Sequence, residues 1–157
     1  MWESEVVTFM APILSGWLSK KSDGLLGPWK THWFVLTDGC LYYFLSPKDE
    51  TPRCIIPLDN TQVNRGNYAT DIVITPATGD IVKSSKLLQR STMEQGRRTQ
   101  FLLRARSRDD REAWVSALQV ESERFRPLHD LFLRVQRQKQ TRGAFPIRVR
   151  VRRHKMH

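Results

Sequence analysis

Apolar and polar residues follow a period of two through most of the first hundred positions and a period of three and four after that. "ILSGWLSK" (13–20) alternates in places, while "WKTHWFVLT" (29–37) and "CLYYFLS" (40–46) are rich in aromatic and β-branched residues. All three predict strands. Two glycines and Pro28 mark "DGLLGP" as a loop, and Asp38-Gly39 is a tight-turn signal. "RCIIPL" (53–58), "DIVITP" (71–76), "DIVKSSKLL" (80–88) and "TQFLLRAR" (99–106) predict four more strands, with "ATGD" closing a hairpin between 71–76 and 80–88. "DNTQVNRGNYAT" (59–70) is polar and has no readable period, Gly66 and Asn67 favouring a turn, and "QRSTMEQGRR" (89–98) reads as a loop or hairpin tip. Seven short strands separated by turn signals predict a mainly β chain folded as a small antiparallel barrel or sandwich.

The period changes at Ser107, a good N-cap, followed by Asp109, Asp110 and Glu112 in the first turn. Trp114, Leu118 and Glu121, with Val115 and Ala117 beside them, form the stripe of a helix whose apolar face would cover an open end of the barrel. Pro127 suits the start of a second helix, in which Leu128, Leu131, Phe132 and Val135 fall at i, i+3, i+4 and i+7. Gly143 marks its expected limit. "FPIRVRVRRHKMH" could form an edge strand, but a disordered basic tail is the preferred reading. The chain therefore divides into an N-terminal extension (1–12), a β domain with its capping helix (13–122), an amphipathic helix (123–140) and a basic tail (141–157). Trp17, Trp33 and Trp114 are expected in the core.

Charge changes this picture by its location. Of a net +10, residues 134–157 carry +9 and contain no acid, so the body is nearly neutral and the tail seeks polyanions such as an acidic membrane. No run of eighteen apolar residues exists to span a bilayer. Glu3 and Glu5 do not suit a secretory leader. Cys40 and Cys54 read as reduced thiols packed in strands. The four histidines, at 32, 129, 154 and 157, form no catalytic set with a serine and an acid, so neither enzyme activity nor a metal or other cofactor is expected. The tail offers only Phe145 for base stacking, which disfavours nucleic acid as a partner.

A second concentration of charge lies at the mouth of the first hairpin. Lys20, Lys21, Lys30 and His32 flank its loop, and Asp23 is the one acid there. In an arbitrary β protein such residues are ordinary solvated strand ends. A polyphosphate ligand, however, needs several convergent cations, and strand ends around an open barrel can aim them inward.

"GWLSK", "WKTHWFVLTDGCLYYF", "PRCIIPL" and "REAWVSALQ" resemble the pleckstrin-homology (PH) domain of the cytohesin family of Arf guanine-nucleotide exchange factors, over roughly residues 13–140. The resemblance implies a phosphoinositide headgroup site in which Lys20, Lys30, Tyr43, Arg53 and Lys86 take positions of the family's phosphate contacts. Two departures stand out. His32 replaces an arginine, which removes a permanent charge and a planar donor fork. Arg97-Arg98 replace an asparagine-histidine pair and add charge. With His32 in the site, binding is expected to strengthen as pH falls through the ordinary histidine pKa near 6.5.

Leu25 and Leu26 in the hairpin loop, and Arg148, Arg150, Arg152 and Arg153 in the tail, are the expected membrane contacts. The resemblance thus implies a non-enzymatic, phosphoinositide-binding membrane-recruitment module, part of or related to an Arf exchange factor. It would act in the cytoplasm, peripheral to the inner face of the plasma membrane or to endomembranes. The alternative is a protein-interaction module that binds an Arf-type small GTPase or another partner with weak lipid selectivity.

Overall fold

The computed structural model describes residues 12–88 and 92–155, with side chains through Thr141. Residues 1–11 of the extension lie outside it. The strands are β1 (Leu14–Lys21), β2 (Trp29–Thr37), β3 (Cys40–Phe44), β4 (Cys54–Pro57), β5 (Thr61–Arg65), β6 (Asp71–Pro76), β7 (Ser85–Leu87), β8 (Met93–Gln95) and β9 (Phe101–Arg104), and they precede one helix, α1 (Arg108–Lys155). The strands form one antiparallel sheet in the order β5-β6-β9-β1-β2-β3-β4-β7-β8.

β1 meets β2 along eight residue pairs but meets β9 at only two, Ser19–Arg104 and Lys20–Leu103. The sheet therefore bends at the Lys20 end of β1. Its two parts share one core, with Leu18, Phe34, Leu36, Leu41 and Ile56 from one side and Val63, Ile72, Ile74, Phe101 and Leu103 from the other. Trp114, Val115 and Leu118 of α1 are fully buried against that core.

Period-two alternation chooses which side chains enter the core. Leu18 and Lys20 face inward on β1, and His32, Phe34 and Leu36 do so on β2. Trp17 and Trp33 are therefore on the outer face, contrary to expectation. They are cross-strand partners whose rings meet edge to face at 5.3 Å. A one-residue step along a strand reverses the face, whatever the hydrophobicity of the residue.

The strand count is nine rather than seven. β5 escapes a hydrophobic reading because Thr61 fills an inward position, its hydroxyl donating to the Leu58 carbonyl at 2.8 Å. β8 is exposed at all three residues and exists by backbone pairing with β7. The expected hairpin between 71–76 and 80–88 does not form. β6 pairs with β5 and β9, and β7 pairs with β4 and β8.

The second helix is not separate either. α1 runs through Pro127 and Gly143 to Lys155. Pro127 removes one intrahelical donor, but both flanks are tied to the barrel. Before it, Gln119 Nε2 donates to the Val63 carbonyl (2.9 Å) and Arg126 Nη2 to the Thr61 carbonyl (3.2 Å). These bonds cover the outer edge of β5, which would otherwise offer bare carbonyls to another chain. After it, buried His129 lies 3.3 Å from Lys83 Nζ and 3.4 Å from Thr78 Oγ1. The 141–157 segment, expected to be a disordered tail, is helical as far as Lys155. Arg148, Arg150, Arg152 and Arg153 lie on its last turns, outside the residues whose side chains are described.

The β2–β3 turn locks α1 in place. Asp38 (φ 48°) and Gly39 (φ 73°) are both left-handed, as a two-residue primed turn requires. Gly39 N–H donates to buried Glu121 Oε2 at 2.9 Å, and a Cβ at Gly39 would lie 2.6 Å from the Phe125 ring. Gly39→Ala is expected to lower stability by about 1–2 kcal/mol from the left-handed backbone alone, with displacement of Phe125 adding to it. Urea unfolding checks this, and an unchanged midpoint would show that the turn is not locked to the helix.

Candidate anion-binding site

Lys20 occupies the bend of the sheet. It is hydrogen-bonded into the ladder opposite Lys30 on β2 and Leu103 on β9, and it faces inward on β1. Its side chain is only 5% exposed. Burial and then the nearby Arg98 lower the ammonium pKa to about 8, an effect that Lys86 reinforces. A cation held under such conditions favours an arriving anion, which would supply the missing countercharge.

The neighbouring strands bring further cations to the same place. Tyr43 is the β3 partner of Phe34, Cys54 lies opposite both Tyr43 and Lys86, and Arg53 immediately precedes Cys54. Tyr43, Arg53 and Lys86 thereby reach the wall of a cleft of about 370 Å³. Lys20, Lys30, Arg53, Lys86 and Arg98 line it, and Asp23 is the one carboxylate among its lining residues. Tyr43 is 5% exposed, with Lys20 Nζ 5.4 Å from its ring centroid and the His32 ring at 4.6 Å. Burial raises its hydroxyl pKa, so the phenol stays protonated as a hydrogen-bond donor.

A smaller recess of about 190 Å³ adjoins the cleft and shares Asp23, Tyr43, Lys86 and Arg98 with it. Arg97 lines this recess and not the larger cleft. Glu94, directly across from Lys86 on β8, lines it too. The structure thus brings Lys20, Lys30, His32, Tyr43, Arg53, Lys86 and Arg98 to one cleft and sets Arg97 beside it.

Two basic residues have more specific positions than the sequence suggests. Lys21 turns away from the cleft: its Nζ donates to the Gly24 carbonyl at 2.7 Å and reaches those of Leu25 and Gly27. It is a strut for the β1–β2 loop. Arg98 Nη1 donates to the Lys21 carbonyl (3.0 Å), its Nε pairs with Asp23 (3.3 Å), and its guanidinium lies over Phe101. Arg98 therefore ties that loop to the start of β9. The loop tip carries Leu25 and Leu26, 97% and 98% exposed. Trp29, at the start of β2, is covered by the Arg104 guanidinium, 4.1 Å above its ring.

Sequence reasoning missed Asp23 and Glu94 as members of the site. Asp23 was legible as the lone acid of the loop, whereas Glu94 required the unseen β7–β8 pairing. It also set the titration of His32 too high. Burial, followed by Lys20, Lys30 and Arg53, lowers its pKa to about 4. Its Nδ1 is buried and, among the described residues, has no hydrogen-bond partner. In the free protein His32 is a neutral group at pH 5.5–7.5, not a cation that titrates near 6.5.

A bent antiparallel barrel with a helix against its open end and a cationic cleft at its first hairpin defines a PH domain. The PH domain family model matches residues 12–123, and the chain belongs to that family. Among curated relatives, mouse cytohesin-2 is 32% identical over 118 residues, 72% of this chain and 30% of that protein. Human cytohesin-3 is 31% identical over 129 residues, 79% of this chain and 32% of that protein. The chain thus spans about a third of the length of the cytohesins it matches. The fold is also that of the PH domain of human oxysterol binding protein-related protein 11 (TM-score 0.54, 22% identity, covering 73% of this chain and 83% of that one). It likewise matches the Slm1 PH domain solved with inositol-4-phosphate (TM-score 0.52, 20% identity, 71% and 95%).

Two measurements test the electrostatics of the cleft. Lys20→Met keeps the aliphatic stem and removes the buried charge. It should stabilise the barrel at pH 7 by about 1–3 kcal/mol. A lysine with a lowered folded pKa costs stability below that pKa, and the cost fades as pH rises from about 8 toward 10.5. The advantage of the variant should therefore shrink over that window in denaturant melts. A less stable variant at pH 7 would mean that the ammonium is already compensated. Second, the His32 ring resonances of the free protein should titrate near pH 4. A histidine kept neutral by folding removes stability as pH falls from 6.5 toward 4. A midpoint near 6.5 would refute the desolvation argument.

Proposed function

We propose that this PH domain is a non-enzymatic membrane-recruitment module that holds a phosphoinositide headgroup in the β1–β2 cleft. The observation that carries the reading is the desolvated Lys20, ringed by four more basic side chains with one lining carboxylate. The likeness to cytohesins supports it. In this reading Lys20, Lys30, Arg53, Lys86 and Arg98 carry the phosphates' charge, Tyr43 donates from its protonated hydroxyl, and Arg97 extends the site toward the recess. His32 offers a neutral nitrogen where an arginine would offer a charged fork. It takes up a proton only as phosphate binding raises its pKa, so affinity grows on acidification toward pH 4 instead of changing around 6.5.

Leu25 and Leu26, at the tip of a loop fixed by Lys21 and Arg98, enter the interfacial layer once the headgroup is held. Arg148, Arg150, Arg152 and Arg153 add attraction to an acidic leaflet, on the order of 1 kcal/mol per cation near the surface. Membership of an Arf exchange factor, an Arf-type GTPase as partner, and a cytoplasmic place at the plasma membrane or endomembranes rest on the cytohesin likeness. Among the described residues no helix is long and apolar enough to cross a membrane.

Co-sedimentation with liposomes, each carrying one phosphoinositide at physiological salt, tests the proposal. Lys20→Ala and Arg53→Ala should each weaken headgroup-dependent binding by roughly tenfold or more, the scale of a lost charged hydrogen bond. Leu25→Ser/Leu26→Ser should weaken vesicle binding but leave soluble headgroup binding intact. Equal binding to all anionic lipids, abolished in a chain ending at Gln140, would assign membrane attachment to the basic segment and sink the cleft reading.

A further inference from the structure

Once α1 has passed the barrel, it still carries an apolar stripe. Leu128, Leu131, Phe132 and Val135 are 55%, 50%, 53% and 41% exposed. With Lys83 and Asp59 of the barrel they line a cleft of about 500 Å³ that shares no residue with the cationic cleft. Lys83 and Asp59 are joined at 2.6 Å, and Lys83 Nζ sits 5.9 Å from the Phe132 ring centroid. The floor of this groove is thus held in place, and its apolar walls face solvent among the described residues.

The N-terminal sequence holds a second amphipathic pattern. In residues 1–11, Trp2, Val6, Phe9 and Met10 fall at i, i+4, i+7 and i+8, one helical face, while Glu3 and Glu5 make the segment net −2 in a chain of +10. The described chain enters at Pro12. Ile13 N–H donates to the Leu36 carbonyl at 2.8 Å, three residues before Gly39, which abuts Phe125 of α1. Leu128 lies about 4.5 Å further along the helix axis and Val135 about 15 Å. Ten extended residues reach about 33–36 Å, so the groove is within range.

We infer that residues 2–10 of the same chain dock in this groove, with Trp2, Val6, Phe9 and Met10 covering the Leu128–Val135 stripe and Glu3 and Glu5 facing the cations Arg134, Arg137 and Lys139. The electrostatics favour this occupant over a second copy, whose own stripe would bring a like set of cations against them. The size agrees. Four half-exposed side chains fall short of the roughly 800 Å² per partner of a stable dimer, whereas a tethered segment binds at high effective concentration and needs less area. The docked segment also neutralises part of the helix charge that would otherwise attract an acidic surface.

Amide hydrogen exchange on the full chain tests the inference. Relative to wild type, Trp2→Asp/Phe9→Asp should speed exchange of amides 128–135 by about tenfold or more, with β1–β9 unchanged as the control for folding. Glu3→Lys/Glu5→Lys should do so more weakly, and added salt should shrink that difference. Identical exchange at 128–135 in wild type and Trp2→Asp/Phe9→Asp overturns the proposal. So does protection that grows with protein concentration alongside a dimer in sedimentation, which assigns the groove to a second copy. Protection that appears only with acidic vesicles overturns it in favour of a membrane.

Discussion

A lysine that is 5% exposed at the bend of a sheet is the constraint around which this domain is organised. β1 must serve two sheet halves, and it meets β9 at only two residues, so the inward side chain at the second of them is enclosed from both sides. With leucine there, the bend would be one more piece of core. Lys20 makes it a desolvated positive charge whose surroundings add Lys30, Arg53, Lys86 and Arg98 and a single lining carboxylate. Such an arrangement weakens the unliganded fold, since the Tyr43 ring and a single carboxylate offset only part of the lost hydration, and a polyanion bound there would restore it. The lowered pKa values of Lys20 and His32 share this one origin.

The helix performs the complementary task. The barrel's far end needs an apolar closure, which Trp114, Val115 and Leu118 supply, and β5 needs its outer carbonyls covered, which Gln119 and Arg126 supply. Glu121 and Phe125 clasp the β2–β3 turn. With contacts on both sides of Pro127, the loss of one intrahelical bond is not enough to break α1. The helix then leaves the barrel with its stripe half exposed, and one element serves as both core and a projecting surface.

The site was more legible in the sequence than its electrical state. The loop signals of "SDGLLGP" place the strand ends, and the resemblance picks out the residues that converge there. Lys20, Lys30, His32, Tyr43, Arg53, Lys86 and Arg98 do share one cleft. Which of the neighbouring cations enters the cleft and which props the loop is not a property of residue type. Lys20 and Lys21 are adjacent, yet the pleat sends one into the cleft and the other onto loop carbonyls. His32 is expected from residue type to titrate near 6.5, but burial beside three positive charges lowers its pKa to about 4.

Local periodicity carries information about neighbours in the chain, so β1–β4, β6 and β9, the Asp38-Gly39 turn, the helix from Ser107 and the division of charge between body and tail could all be read from residue order. Pairing across the fold is decided by backbone groups that every residue possesses. That is why β5, with a threonine at an inward position, and the fully exposed β8 formed without a hydrophobic signal, and why β6 and β7 went to different partners despite the turn between them. The outward tryptophans and the unbroken helix have the same explanation. Their environment comes from register and from contacts 46 to 65 residues away, such as Lys83–His129 and Thr61–Arg126, and no window of sequence contains both partners. Desolvation, the source of the cleft's chemistry, exists only after those contacts close around it.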